Sequence, residues 1–225
     1  MQAVVRAEPN ELIGELTRMV RLAAQMLTTA SIALHQADPT LAAPVITDRD
    51  RLRGTLKDTE RRALTLLTSQ APLAADLRVI IATLRAVDHL QRMSELAGYI
   101  ARIAQLKHPN PMTCSQLRPV LARMSLLASQ QAEDTATAIE DQNPLRGARR
   151  ATDNELDAQL AHLFSILSAQ DWSHHVGQAI NAALIGRHYE RFAAHAVAIA
   201  GQARYLTTGQ APKPTTLPAA GGPAR

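Results

Sequence analysis

Apolar residues recur at steps of three and four along most of the chain. Leu12, Leu16, Met19, Val20, Ala23, Met26, Leu27 and Ala30 form one stripe, which predicts a helix over about 10–36. It stops at Asp38-Pro39. Thr40 is the expected N-cap of a second helix reaching about Ser69, with Pro44 near its first turn, where proline is tolerated. Ala71-Pro72 breaks the chain again. A third stripe, from Leu73, Leu77 and Ile80 through Leu90, Met93 and Ala97 to Ile100 and Ala104, predicts a helix over about 72–107. At the standard rise it is roughly 50 Å long, so it needs neighbours along its whole length. His108-Pro109-Asn110-Pro111 reads as a linker, after which the order repeats in helices over about 115–141, 144–169 and 172–206. Pro119 is expected to delay or kink the first turn of the fourth helix. Proline and glycine then recur beyond Gly209, so 209–225 is expected to be disordered.

The chain also repeats itself. Leu90-Gln91-Arg92-Met93-Ser94-Glu95-Leu96-Ala97-Gly98-Tyr99-Ile100-Ala101 returns as Tyr189-Glu190-Arg191-Phe192-Ala193-Ala194-His195-Ala196-Val197-Ala198-Ile199-Ala200, an offset of 99 that superposes Arg92 on Arg191 and Ile100 on Ile199. A period of that size is too long for a solenoid repeat and fits a small domain. The reading is an all-α fold made by tandem duplication: two antiparallel three-helix bundles joined end to end. The expected organisation is a flexible N-terminus (1–9), a first bundle (10–108), a linker (109–114), a second bundle (115–208) and the tail (209–225).

Composition supports helices and little else. Apolar residues make up 46% and aromatics 3% of the 225 residues, so Ala and Leu carry the core. No apolar run is long enough to span a bilayer, the N-terminus lacks a signal-peptide core, and Cys114 stands alone; a reduced, cytoplasmic setting is expected. The net charge of +4 is scattered, which argues against nucleic acid as a partner. Lys57, Lys107 and Lys213 are the three lysines, so nearly all positive charge is arginine, suited to bidentate contacts with carboxylates or phosphates.

Ala71-Pro72-Leu73-Ala74-Ala75-Asp76-Leu77-Arg78, the later Leu90-Gln91-Arg92-Met93-Ser94-Glu95 and its echo Tyr189-Glu190-Arg191-Phe192 resemble the PhoU family, and within it the actinobacterial PhoY branch. The resemblance covers about 10–209. It implies the six-helix fold of two three-helix bundles, a homodimer in many members, and no enzymatic activity. It further implies a regulator that links the ATPase of the phosphate ABC transporter to a sensor histidine kinase and holds down the phosphate-starvation response.

Family members often carry Glu/Asp-x-x-x-Asp in each half, which holds iron or zinc. Residues four apart share a helix face, so two carboxylates can converge on one cation. This sequence departs from that pattern: the positions read Gln91-x-x-x-Glu95 and Glu190-x-x-x-Ala194. Fewer anionic ligands compensate less for stripping an ion of water, so metal is expected to be weak or absent in the first half. One residual site is expected near Asp153, Asp157 and Glu190. Glu95 and Glu190 read more simply as ordinary ion pairs on a solvated helix face, with Arg92 or Arg191 nearby. Asp153 and Asp157 form a carboxylate pair on one face, which an ion would relieve. Arg78, Arg92 and Arg191 are candidates for a partner-binding surface, while Asp76 is explained by the positive end of its helix.

His162, His174, His175, His188 and His195 crowd the second half, but adjacent histidines point about 100° apart on a helix, and His188 and His195 lie two turns apart. They read as satisfied or exposed side chains. Trp172 reads as a packing anchor just inside the last helix. There is no glycine-rich phosphate loop and no Ser/His/Asp order. A carboxylate-bridged storage protein or oxidase is the competing class, and the chain lacks the Glu-x-x-His pairs that di-iron bundles use. A paralogue with another kinase, transporter or antibiotic-tolerance role remains compatible with the same motifs.

Overall fold

Six helices follow one another among the described residues of the computed structural model: α1 (Gln2–Gln36), α2 (Pro39–Ser69), α3 (Ala74–Lys107), α4 (Arg118–Glu140), α5 (Arg150–Leu167) and α6 (Val176–Thr208). The structure describes residues 2–69, 74–109, 114–143 and 150–210, with side chains over 8–68, 74–109, 114–143 and 154–210. Most of the expected tail and of the expected linker lies outside the described residues.

Local chemistry sets the ends. Asp38, rather than Thr40, caps α2: the backbone N–H of Thr40 and its hydroxyl both donate to Asp38 Oδ1, at 2.8 and 2.7 Å. Pro39 opens the helix, where its missing N–H costs nothing, so the capping oxygen comes from the residue before it. Pro119 lies in the first turn of α4 and fixes its start at Arg118, later than the apolar pattern implies. α6 begins at Val176, four residues after Trp172, with the His175 imidazole accepting from the N–H of Gly177 at 3.2 Å. Trp172 therefore packs against the core from the preceding loop. Gly209 closes α6 in the left-handed conformation (φ 70°) and donates its N–H to Tyr205 O at 2.9 Å, a common helix stop. α1 starts at Gln2, well before Asn10, and passes through Pro9.

Each half is a three-helix bundle. In the first, Glu15 of α1 meets Thr59 and Arg62 of α2, while Arg53 of α2 reaches towards Glu95 of α3 at 4.0 Å. In the second, Arg123 of α4 holds Glu155 of α5, and Gly186 of α6 lets that helix come against Leu160 and Leu163 of α5.

The two bundles lie side by side, not end to end as the repeat alone suggests. α1 runs antiparallel to α4, with Arg21 on Glu140 and Ser31 bonded to Ser125. α3 runs antiparallel to α6, with His89 on His195 and Tyr99 on His188. The reason is the width of the buried faces. Ala23, Ala24, Met26, Leu27, Ala30 and Ser31 cover more of α1 than one neighbour can bury. A helix apolar around more than one stripe needs further partners. α1, α3, α4 and α6 thus form a central four-helix core flanked by α2 and α5. A second repeat agrees with this symmetry. Arg18, Met19, Leu22, Ala23 and Gln25 on α1 return as Arg123, Met124, Leu127, Ala128 and Gln130 on α4, an offset of 105.

Candidate functional site

The duplicated segments lie against each other across the α3/α6 seam. Met93 and Phe192, the apolar residues at equivalent positions, are fully buried. The arginines beside them, Arg92 and Arg191, are exposed. Both act electrostatically on His195, which places them around the same point of the seam.

The acidic positions behave differently in the two copies. Glu95 accepts from Gln91 Nε2 at 3.2 Å and from Arg92 Nη1 at 2.9 Å, with Arg53 of α2 at 4.0 Å. Where a second carboxylate would be needed, the site offers an amide and two guanidinium groups. Glu190 is buried and accepts two contacts from Arg187 Nη1, at 3.1 and 2.8 Å. Its partner is thus Arg187, one turn earlier, and not Arg191. Ala194 contributes no ligand. Asp157 is exposed, and the side chain of Asp153 lies outside the described residues.

At the two positions of the duplicated motif the donor set does not fit iron or zinc held by surface carboxylates. Glu95 and Glu190 already face arginines, which repel a cation, and a pair of acids by itself supplies too few ligands to replace the ion's hydration shell. Among the described residues no three side chains of His, Cys, Asp or Glu converge on one point.

The candidate partner-binding arginines also separate. Arg92 and Arg191 stand on the outer side of the seam. Arg78 is half-buried against Gly209, and its Nε has no hydrogen-bond partner. It packs where the end of α6 meets α3, so less of it is offered to a partner.

One pair escaped the sequence. His89 of α3 approaches His195 of α6 with Nδ1 atoms 3.0 Å apart and ring centroids 5.3 Å apart. Burial holds both rings below the usual histidine pKa, with His195 brought down to about 4; His89, Arg191 and Arg92 add to the effect on His195. His188 stacks on Tyr99, centroids 5.8 Å apart, and burial followed by Arg191 lowers its pKa too. The repeat offset did not point to this pair: 99 added to His89 gives His188, while the counterpart of His195 in the first copy is Leu96. The ring nitrogens are not all satisfied, contrary to the expectation for these histidines: His195 Nε2 and His188 Nδ1 are buried without a hydrogen-bond partner.

The PhoU domain matches residues 16–104 and, a second time, residues 121–203. The chain belongs to the PhoU family. The "Phosphate-specific transport system accessory protein PhoU homolog 1" of Mycobacterium leprae is 33% identical over 219 residues, 97% of this chain and 99% of that protein. Homolog 2 of Mycobacterium tuberculosis is also 33% identical, over 94% of this chain and 100% of its own length. The crystal structure of the phosphate transport system regulatory protein PhoU from Streptococcus pneumoniae superposes with a TM-score of 0.80 at 21% identity, covering 92% of this chain and 98% of that one. PhoU from Pseudomonas aeruginosa gives 0.80 over 91% and 99%. Both likenesses establish the PhoU fold. No described helix is long and apolar enough to cross a membrane.

Proposed function

We propose that this PhoU-family protein is a non-enzymatic accessory regulator of phosphate transport. It works in the cytoplasm as an adaptor between the ATPase of the phosphate ABC transporter and a sensor histidine kinase. In that role it holds down the phosphate-starvation response. The single observation that carries the reading is the doubled PhoU domain, in a chain one-third identical over nearly its whole length to mycobacterial proteins named as phosphate-specific transport accessories. The partner surface we favour is the outer side of the α3/α6 seam around Arg92 and Arg191, where guanidinium groups can pair with carboxylates of another protein.

Deleting the gene tests the role. Phosphate-starvation transcripts are expected to rise in phosphate-replete medium and to fall again on complementation. Repression unchanged by the deletion would contradict the reading. Complementation with Arg92→Ala/Arg191→Ala is expected to restore repression incompletely, at unchanged protein level and melting temperature. Iron and zinc, on the same reasoning, bind weakly at most. Elemental analysis of untagged protein is expected to give well under one metal per chain, and one or more would overturn that view.

A further inference from the structure

An apolar surface stands uncovered where α3 ends and α6 begins. On α6, Val176, Ile180 and Leu184 follow at steps of four and are 68%, 56% and 49% exposed; that spacing puts them on one face. On α3, Tyr99 and Leu106 lie seven apart, again on one face, and are 55% and 76% exposed. The stack of Tyr99 on His188 fixes the register of the two antiparallel helices, and it sets Leu106 about level with Ile180. The two rows therefore run side by side for about 12 Å along α6. Among the described residues, five of the ten exposed large apolar side chains gather here, and a cluster of that kind marks an interaction site rather than scattered surface residues.

Along the two helix segments that form this surface the charge has one sign. From 96 to 107, α3 carries Arg102 and Lys107 and no acid; from 176 to 189, α6 carries Arg187 and no acid. Arg187 is engaged by Glu190. Arg102 and Lys107 are exposed, with no acidic partner among the described residues.

We propose that this surface is the docking site for an amphipathic helix of a partner protein, one with apolar residues at steps of three or four and Asp or Glu along its flanks. The inference rests on the adaptor reading and adds a second face, further along the seam from Arg92 and Arg191, and the chemistry of the partner it takes. Two helices side by side leave a groove between their ridges, and a third helix fills it as one does within each bundle of this chain. Acidic flanks pair with Arg102 and Lys107, which guides encounter and selects the partner. A two-fold pairing with a second copy through this face would instead bring two basic faces together, with no acid on either helix segment to offset them.

The test uses the full-length protein in its host cells, with the photo-reactive residue benzoylphenylalanine replacing Ile180 or Leu106 in turn, and Leu64 on α2 as the control position. Crosslinked peptides are then sequenced. The expected result is a segment of another protein with apolar spacing of three or four and several acids, captured at 180 and 106 and not at 64. Capture should fall at least fivefold on adding Arg102→Glu/Lys107→Glu, with the melting temperature unchanged. Capture of a second copy of this chain, of phospholipid, of a segment without acids, or of nothing overturns the proposal. If deletion of the gene derepresses starvation transcripts while these positions capture none of the expected segment, the docking face fails and the adaptor reading stands. If the acidic helix is captured while deletion leaves repression intact, the docking face stands and the adaptor reading fails.

Discussion

The hydroxyl of Ser31 joins three helices of the central core. It donates to Leu27 O within α1 (2.8 Å) and accepts from Ser125 of α4 (2.7 Å) and Tyr189 of α6 (2.9 Å). Burial pushes the Tyr189 phenol up to about 12, partly offset by its bonds to Ser31 and Ser125, so it remains a donor throughout the working range. Tyr189→Phe keeps the ring and leaves Ser31 bonded to Ser125. It is therefore expected to cost about 1 kcal/mol, read from the urea midpoint at constant slope. Combined with Ser31→Ala in a double-mutant cycle, it should show a coupling of at least about 0.5 kcal/mol, since the two side chains share one bond. Strict additivity would contradict the network. Nothing in the sequence marks these residues, because Ser31 and Tyr189 are far apart in the chain and each sits in an ordinary apolar stripe.

Among the elements, α6 depends on a glycine for its approach to α5. A Cβ on Gly186 would meet Leu163 Cδ2 at 2.5 Å and Leu160 Cδ1 at 3.1 Å. Both are ends of flexible side chains. Gly186→Ala is thus expected to be near neutral, the strain offset by about 0.8–1 kcal/mol of helix propensity. Gly186→Val adds branched bulk that two leucine ends cannot clear, and overpacking of that kind costs about 1–3 kcal/mol. Thermal melts of the two variants check this; a valine variant as stable as alanine would show that α5 and α6 are not closely packed. The helices themselves were legible because steps of three and four leave a local signature, and prolines punctuate it. Their ends were less so. Asp38 displaced Thr40 as a cap because Pro39 took the first helical position, and Trp172 lies outside α6 because His175 supplies the cap. Glu190 was legible as an acid but not as the partner of Arg187 over Arg191, a choice made by which way each guanidinium faces once the seam has closed.

At the scale of the molecule, the duplication was visible and the docking of its halves was not. A repeat fixes what each bundle looks like; which faces then meet depends on side chains about one hundred residues apart, such as His89 and His195. That seam gives stability a dependence on pH. His195, His89 and His188 are held below the ordinary histidine value chiefly by burial, and His195 is brought down to about 4. Around them, Asp88 raises the His89 pKa slightly, while Arg92 and Arg191 act in the opposite direction on His195. The unfolded chain titrates its histidines near 6.5, so between about pH 6.5 and 4 it binds protons that the folded seam refuses. Stability must therefore fall as the pH drops through this window, and level off for His195 below about 4. At about 1.4 kcal/mol per unit, a shift of this size sets an upper limit of roughly 3.5 kcal/mol on the part of the loss that His195 alone contributes. Asp38 and Glu140, whose pKa values are lowered by hydrogen bonds from Thr40 and Arg21, begin to lose their contribution only below about pH 5, so the decline between about pH 7.5 and 5 is free of them. Denaturant unfolding at pH 7.5, 6, 5 and 4.5 should show the decline, and His195→Gln should flatten it whatever its effect on stability at pH 7.5. An unchanged slope in that variant would mean that the imidazole at the seam is hydrated, and that the two bundles are held together without excluding water from it.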